Sequence, residues 1–173
     1  MNYFELYGIE ESFDADQALV KHKFYELSKL YHPDFYINEP EEKQQEILEL
    51  STLNNKAYQV LSDKRKTTEY ILKLHGLVGE GEKHQLPPEF LMDMMDVNEA
   101  LMELEFEPDT EKLAEIRSQV EEKMKELETE FKSLSGRYAS ESSKDEILQH
   151  ILDLWHRQKY LLRIKDSLSK FVA

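Results

Sequence analysis

Apolar residues recur along the chain at helical spacing, and no segment sustains the two-residue alternation of a strand. Val20, Phe24, Leu27 and Tyr31 stand at i, i+4, i+7 and i+11 and predict one apolar face of a helix. That helix should begin near Asp14, with Gln17 three residues on as in a capping box. Lys21, His22, Lys23 and Lys29 fall away from the apolar face. Pro33 stops the helix and pushes His32 into an extended conformation. A second helix is predicted from Pro40 through Ile47, Leu50, Leu53, Ala57 and Leu61, antiparallel to the first across a loop at 32–39. A third, shorter helix follows Ser62 as N-cap, carries Tyr70, Ile71 and Leu74, and ends at Gly76.

Gly76, Gly79, Gly81, Pro87 and Pro88 then crowd together and mark a junction. Beyond it the helical rhythm resumes in three longer segments. One runs from Pro88 to Glu105. The next is capped by Asp109 and carries Leu113, Ile116, Val120, Met124, Leu127, Phe131 and Leu134. The last starts at Ser143, with Glu146 completing a capping box, and continues to Phe171 with Ile147, Ile151, Leu154, Leu161 and Leu168 as its stripe. Residues 136–144 read as the loop between the last two. Three amphipathic helices with short connections predict an antiparallel bundle, so the whole chain is expected to be all-α.

Composition narrows what such a chain does. The 173 residues carry 22 Lys plus Arg against 36 Asp plus Glu, for a net charge of −14. That balance argues against binding nucleic acid or anionic lipid and favours partners with basic surfaces. There is no cysteine, hence no disulfide, no thiolate nucleophile and no thiolate site for zinc or an iron–sulfur cluster. The N-terminal residues lack the basic start and apolar run of a signal peptide, and no stretch approaches a spanning helix, so a cytoplasmic protein is expected.

No catalytic constellation emerges. Gly76 and Gly81 have P-loop spacing, but Glu82 stands where the phosphate-binding lysine belongs. The histidines His22, His32, His75, His84, His150 and His156 form no i, i+4 pair that would bind a metal from one helix. Neither a cofactor nor a metal nor an enzymatic activity is expected.

His32-Pro33-Asp34 is different in kind. A helix with a basic flank ends at a proline, and the carboxylate of Asp34 is set at a rigid corner where it can pair with a partner's arginine. Taken alone, the tripeptide reads first as a plain helix stop. Its surroundings decide. Tyr3-Phe4-Glu5-Leu6-Tyr7-Gly8-Ile9 resembles the opening of the J-domain family, the DnaJ-type co-chaperones. Tyr25 and Leu30 precede the tripeptide at the family's places. Ala57-Tyr58-Gln59-Val60-Leu61-Ser62-Asp63, then Lys64-Arg65 and Tyr70, resemble the segment that follows. Tyr70-Ile71-Leu72-Lys73-Leu74-His75-Gly76 and Phe90-Leu91-Met92-Asp93-Met94-Met95, followed by Asp96, Glu99 and Glu103, are further similar to the HscB-type iron–sulfur co-chaperones. Phe35 departs from the J-domain pattern, which commonly has a lysine there. The paired-cysteine extension of eukaryotic relatives is absent, which favours a bacterial over a mitochondrial protein.

The resemblance implies a J-domain (an antiparallel helical hairpin plus short helices) over 1–76, a junction over 77–87 and a scaffold-binding three-helix bundle over 88–173. It also implies two partners. One is a DnaK-type ATPase, HscA, met by Lys21, His22, Lys23 and Lys29 with His32, Pro33 and Asp34 as the trigger. The other is the scaffold protein IscU, met by Leu91, Met92, Met95, Asp96, Glu99, Glu103 and Tyr160. A general J-domain co-chaperone for another client is the alternative.

The helix at 88–105 carries an argument of its own. With Met94 at 0° on a wheel of about 100° per residue, Phe90, Val97, Leu101 and Leu104 share its side and make one core stripe. Met92, Met95 and Met102 form a second stripe, edged by Asp96, Glu99 and Glu103. One stripe suffices in a bundle. The second is either covered by the rest of the chain or is a partner surface, a role methionine suits. Nine acidic residues and no basic one lie between 89 and 111, either as a solvated face or as its rim. Tyr160 lies off the core stripe of the last helix, toward His156 and Arg163, where an exposed tyrosine is expected.

Overall fold

The structure is a computed structural model that describes residues 1–79 and 84–171. The described residues form seven α-helices and one 3₁₀ helix, without a strand. The helices are α1 (Tyr3–Tyr7), α2 (Gln17–Leu30), α3 (Glu41–Leu61), α4 (Lys64–Leu74), α5 (Pro88–Phe106), α6 (Thr110–Tyr138) and α7 (Lys144–Ser169), with the 3₁₀ helix at Pro33–Tyr36. The chain divides into two compact units, Met1–Gly79 and Glu80–Ala173. The division falls inside the glycine- and proline-rich stretch, of which Glu80, Gly81, Glu82 and Lys83 lie outside the described residues.

In the first unit α2 and α3 pair as the hairpin that the periodicity predicts. Val20, Ile47, Ala57 and Leu61 are buried, and Phe24 stacks on Tyr58 with ring centroids 4.2 Å apart. One helix was not foreseen. α1 is only five residues long, too short to show a period. A capping box holds it, with the Glu5 N–H donating to Asn2 and the Glu5 carboxylate accepting from the Asn2 N–H. Phe4 and Tyr7 enter the core from it. α4 closes on α1, where Tyr3 stacks against Tyr70 at 4.4 Å and its N–H donates to the Tyr70 hydroxyl. α1 and α4 end in the same device. Gly8 and Gly76 take φ of 64° and 69°. The next residue, Ile9 or Leu77, then donates back to the carbonyl of Phe4 or Leu72, as in a Schellman motif.

Several helix ends differ from the sequence expectation. Asp16, not Asp14, caps α2, its carboxylate accepting from Ala18 and Leu19. The Gln17 side chain serves instead as a strap to the carbonyls of Ala15 and Leu61. Asp63, not Ser62, caps α4, because Ser62 still belongs to the end of α3. The expected loop at 32–39 contains the 3₁₀ turn, started by Pro33 at its first position. α6 runs through Gly136 to the buried Tyr138, which confines the expected 136–144 loop to 139–143. Ser143 precedes α7 but makes no side-chain cap, so no capping box forms there.

The second unit is an antiparallel three-helix bundle. Asp93 of α5 meets Lys123 of α6 while Glu103 meets Lys112, so α5 and α6 run in opposite directions. Arg117 near the start of α6 donates to carbonyls at the end of α7. Phe90, Met94, Val97 and Leu104 face Leu113, Ile116, Val120, Leu127 and Leu134 and the stripe Ile147, Ile151, Leu154, Leu161 and Leu168, all buried. α7 also buries Leu148, Leu152, Trp155 and Ile164, so it is enclosed on a wider arc than the other two.

Candidate docking surfaces

The first candidate surface lies on α2 and the corner after it. Lys21, His22 and Lys29 are exposed and Lys23 is half-exposed. They do not form an undivided basic face, because Glu26 stands among them. Its carboxylate lies 3.6 Å from the Lys23 amine and 4.0 Å from His22. Lys21 and Lys29 are therefore the open cations of α2. Both are spaced by four residues from Tyr25, which is 53% exposed. Tyr25 thus completes a Lys–Tyr–Lys row along the helix surface. Its sequence position marks Tyr25 as a family match, and only the fold shows that it belongs to this surface.

At the corner His32 is extended, with φ of −72° and ψ of 123°, as a residue before proline should be. Its Nδ1 accepts a hydrogen bond from the Asp34 N–H at 3.3 Å, which assigns the proton of the neutral ring to Nε2. The Asp34 carboxylate is 79% exposed and lies 3.7 Å from the same nitrogen. Phe35 packs edge-on to the His32 ring while remaining 75% exposed. Tyr36 ties the corner back to the helix by donating to the Leu30 carbonyl at 2.7 Å. An exposed carboxylate, a half-exposed imidazole and an exposed apolar ring are thus gathered on one short turn.

What holds α2 in place is a buried polar cluster. Asn54 is 1% exposed. Its amide donates to the Phe24 carbonyl and to the Ser28 hydroxyl, each at 3.2 Å, and its Oδ1 accepts from the Tyr7 hydroxyl at 2.9 Å. Desolvation raises the Tyr7 hydroxyl well above the usual tyrosine range, with Tyr58 adding to the effect. It therefore stays protonated as the donor. α1, α2 and α3 meet at this one amide.

The second candidate surface is the outer face of α5. The bundle buries one stripe and leaves the other open, so the helix has two apolar sides as the wheel requires. Leu91 is 41%, Met92 67%, Met95 59% and Met102 61% exposed. The acidic rim is more heterogeneous than the sequence shows. α6 brings Lys123 to Asp93 at 3.1 Å and Lys112 onto Glu103, while Asp96 and Glu99 are exposed and meet no basic side chain among the described residues. Tyr160 is not the exposed tyrosine expected. It is half-buried, with its ring edge-on to Phe90 and its hydroxyl accepting from the Asn98 amide at 2.8 Å. It fixes the rotation of α5 on α7. Asn98 was missed because its position between the two stripes looks neutral on a wheel. Among the described residues no cluster of three or more His, Cys, Asp or Glu could hold a metal, and no helix is long and apolar enough to cross a membrane.

Comparison with known proteins accounts for both units. The DnaJ domain family matches residues 2–70, and the family described as the HSCB C-terminal oligomerisation domain matches residues 86–169. A co-chaperone protein HscB homolog of Shewanella pealeana is 31% identical over 173 residues, covering 98% of this chain and 96% of the relative. The human iron–sulfur cluster co-chaperone protein HscB is 35% identical over 127 residues, covering 73% of this chain and 53% of that one. Its crystal structure superposes with a TM-score of 0.71 at 27% identity, over 98% of this chain and 81% of that chain. The HscB chaperone of Vibrio cholerae gives 0.65 at 27% identity, over 98% and 96%. A helical hairpin closed by a His-Pro-Asp corner and followed by a helical bundle makes this a J-domain co-chaperone. With a bacterial relative matched along nearly its whole length, the chain belongs to the HscB co-chaperone family. The J-domain implies a DnaK-type chaperone as a partner.

Proposed function

We propose that this chain is a co-chaperone of iron–sulfur cluster biogenesis that brings a scaffold protein to a DnaK-type ATPase and has no catalytic activity of its own. The first unit (by this reading a J-domain over 1–76) docks on the ATPase HscA. Lys21, His22, Lys23 and Lys29 contribute charge, and His32, Pro33 and Asp34 present the trigger carboxylate for a charge-assisted pair with an arginine. The bundle holds the scaffold IscU on the open face of α5 through Leu91, Met92 and Met95, with Asp96, Glu99 and Glu103 as the rim and Tyr160 as the support behind it. Joining the two surfaces in one chain raises the effective concentration of scaffold at the ATPase without any new contact. A bacterial cytoplasm is the proposed setting, on the full-length match to a bacterial relative.

One observation carries this reading. α5 exposes Leu91, Met92 and Met95 side by side although its opposite face already supplies everything the bundle needs. The test is the steady-state ATPase rate of the chaperone alone, with this protein, and with this protein plus scaffold. The rate should rise with the protein and rise further with scaffold. Asp34→Asn should abolish both increments while leaving scaffold binding by calorimetry unchanged. Full stimulation by Asp34→Asn refutes the assignment of the corner. Stimulation that ignores the scaffold leaves a J-domain co-chaperone for a different client.

A further inference from the structure

The open stripe of α5 does not end where the proposed scaffold residues end. Met102 is 61% exposed and Phe106, the last residue of the helix, is 84% exposed, as much as the N-terminal Met1. With Met94 at 0°, Leu91, Met102, Met95 and Phe106 fall between about 60° and 120°, so they form one line along the helix. From Leu91 to Phe106 that line runs about 22 Å. An exposed phenylalanine at a helix end does nothing for the bundle, whose core on this helix is Phe90, Met94, Val97 and Leu104. Beside it, between the end of α5 and the start of α6, lies an open recess of about 810 Å³, where Phe106 and Pro108 stand among the polar walls of Glu107, Asp109 and Thr110 and Lys112 pairs with Glu103 at the edge.

Charge decides what covers this line. The segment Pro88–Phe106 holds Glu89, Asp93, Asp96, Glu99, Glu103 and Glu105 and no basic residue, and of these Asp93 and Glu103 are met by lysines of α6, so the face keeps a net negative charge. A second copy laid on this face about a two-fold axis would set these carboxylates against their own equivalents. The occupant therefore has an apolar centre and a basic rim. Continuity with Leu91, Met92 and Met95 makes it the same protein that those residues hold. We infer that the client surface extends the full length of α5, with Met102 and Phe106 as a second apolar contact at the α5–α6 corner. The inference rests on the reading of α5 as the client surface.

The experiment compares two double variants of the full chain in calorimetric titrations against purified IscU. Met102→Ala/Phe106→Ala should weaken binding at least about tenfold, since each side chain loses a large part of its burial. Its far-UV circular dichroism should be unchanged, because neither residue is in the core. Met92→Ala/Met95→Ala is the reference. If the reference weakens and the corner variant does not, the extension is wrong and the scaffold reading stands. If neither weakens, the scaffold reading itself fails and the extension goes with it. Sedimentation velocity of the unmodified chain completes the test. A dimer that Met102→Ala/Phe106→Ala dissolves would overturn the choice of occupant.

Discussion

Asn54→Ala is the sharpest probe of how the first unit keeps its docking surface in shape. The substitution removes two donor contacts, to the Phe24 carbonyl and the Ser28 hydroxyl, and one acceptor contact from Tyr7. None of the partners is fully orphaned. The Tyr7 hydroxyl lies 3.2 Å from the Asn54 carbonyl, which alanine retains. The Phe24 carbonyl still accepts from the Ser28 hydroxyl at 2.7 Å. Each lost bond should therefore cost near the low end of the net range, about 0.5–1 kcal/mol. The small cavity left at a fully buried position adds about 0.7 kcal/mol. The total is about 2–4 kcal/mol, a large part of the stability of a unit this size. It corresponds to a fall of roughly 10–30 °C in its melting temperature.

The assay follows from the placement of a single residue. Trp155 is the only tryptophan and is buried in α7, in the second unit. Its fluorescence reports the bundle, while far-UV circular dichroism reports both units. In urea or thermal unfolding of the full chain, Asn54→Ala should bring part of the dichroism transition forward and leave the Trp155 transition where it was. Asn54→Asp should be worse than alanine at neutral pH. It keeps the Tyr7 bond but turns a carboxylate toward the Phe24 carbonyl without a compensating cation. An unmoved dichroism transition, or an aspartate variant as stable as the parent, would refute the account of this cluster.

Further predictions follow from other residues. His156 is half-buried, stacked on His84 at 4.1 Å. Burial, His84 and Lys159 together lower its pKa from 6.5 to about 4, against the opposing pull of Asp153. The folded state therefore favours the neutral ring. This contribution is complete above pH 6.5 and is lost as the pH falls toward about 4. Discounted for the solvent the ring still meets, it should lower bundle stability by about 1 kcal/mol at pH 5. Urea titrations followed by Trp155 should show that loss, and His156→Gln should flatten it. Lys21→Ala/Lys29→Ala should raise the ATPase concentration needed for half-maximal stimulation several-fold at low salt and less at high salt. Glu26→Gln should act in the opposite direction, since it frees Lys23; a titration at two ionic strengths decides both. Gly76→Ala meets no atom and should destabilise the first unit by about 1–2 kcal/mol through φ of 69° alone, without moving the Trp155 transition.

Much of this was legible from periodicity, because long helices repeat their pattern often enough to be read. The two stripes of α5 separate on a wheel, and the burial of Phe90, Met94, Val97 and Leu104 against the exposure of Met92, Met95 and Met102 follows that separation. What escaped was whatever depends on a single short-range or cross-helix contact. α1 spans too few residues for any period, although Asn2 and Glu5 do stand three apart. Asn54 occupies a core position of the Ile47, Ala57, Leu61 stripe, so a polar residue there was itself the signal of a buried network. Glu26, Lys112 and Lys123 neutralise charges that a linear reading leaves open, and the pairing of Asn98 with Tyr160 joins residues 62 apart in sequence.

Those neutralisations sharpen what the net charge of −14 means. Counted along the chain, residues 1–76 hold 9 basic and 14 acidic residues and residues 77–173 hold 13 and 22, so both parts are acidic. A steering field from the whole molecule would therefore repel an acidic partner from either unit alike. On the proposed reading, docking on the first unit draws on charges close to the contact, with Lys21 and Lys29 open and His22 and Lys23 shared with Glu26. On the same reading the rim of α5 acts chiefly through Asp96 and Glu99, with Glu103 shared with Lys112 of α6. Each surface thus consists of a small set of unpaired charges beside exposed apolar side chains: Tyr25 and Phe35 in one case, Met92 and Met95 in the other. Charges of opposite sign at the two sites mean that a partner suited to one is disfavoured at the other. A chain that holds an ATPase and its client at the same time, as proposed above, needs that discrimination.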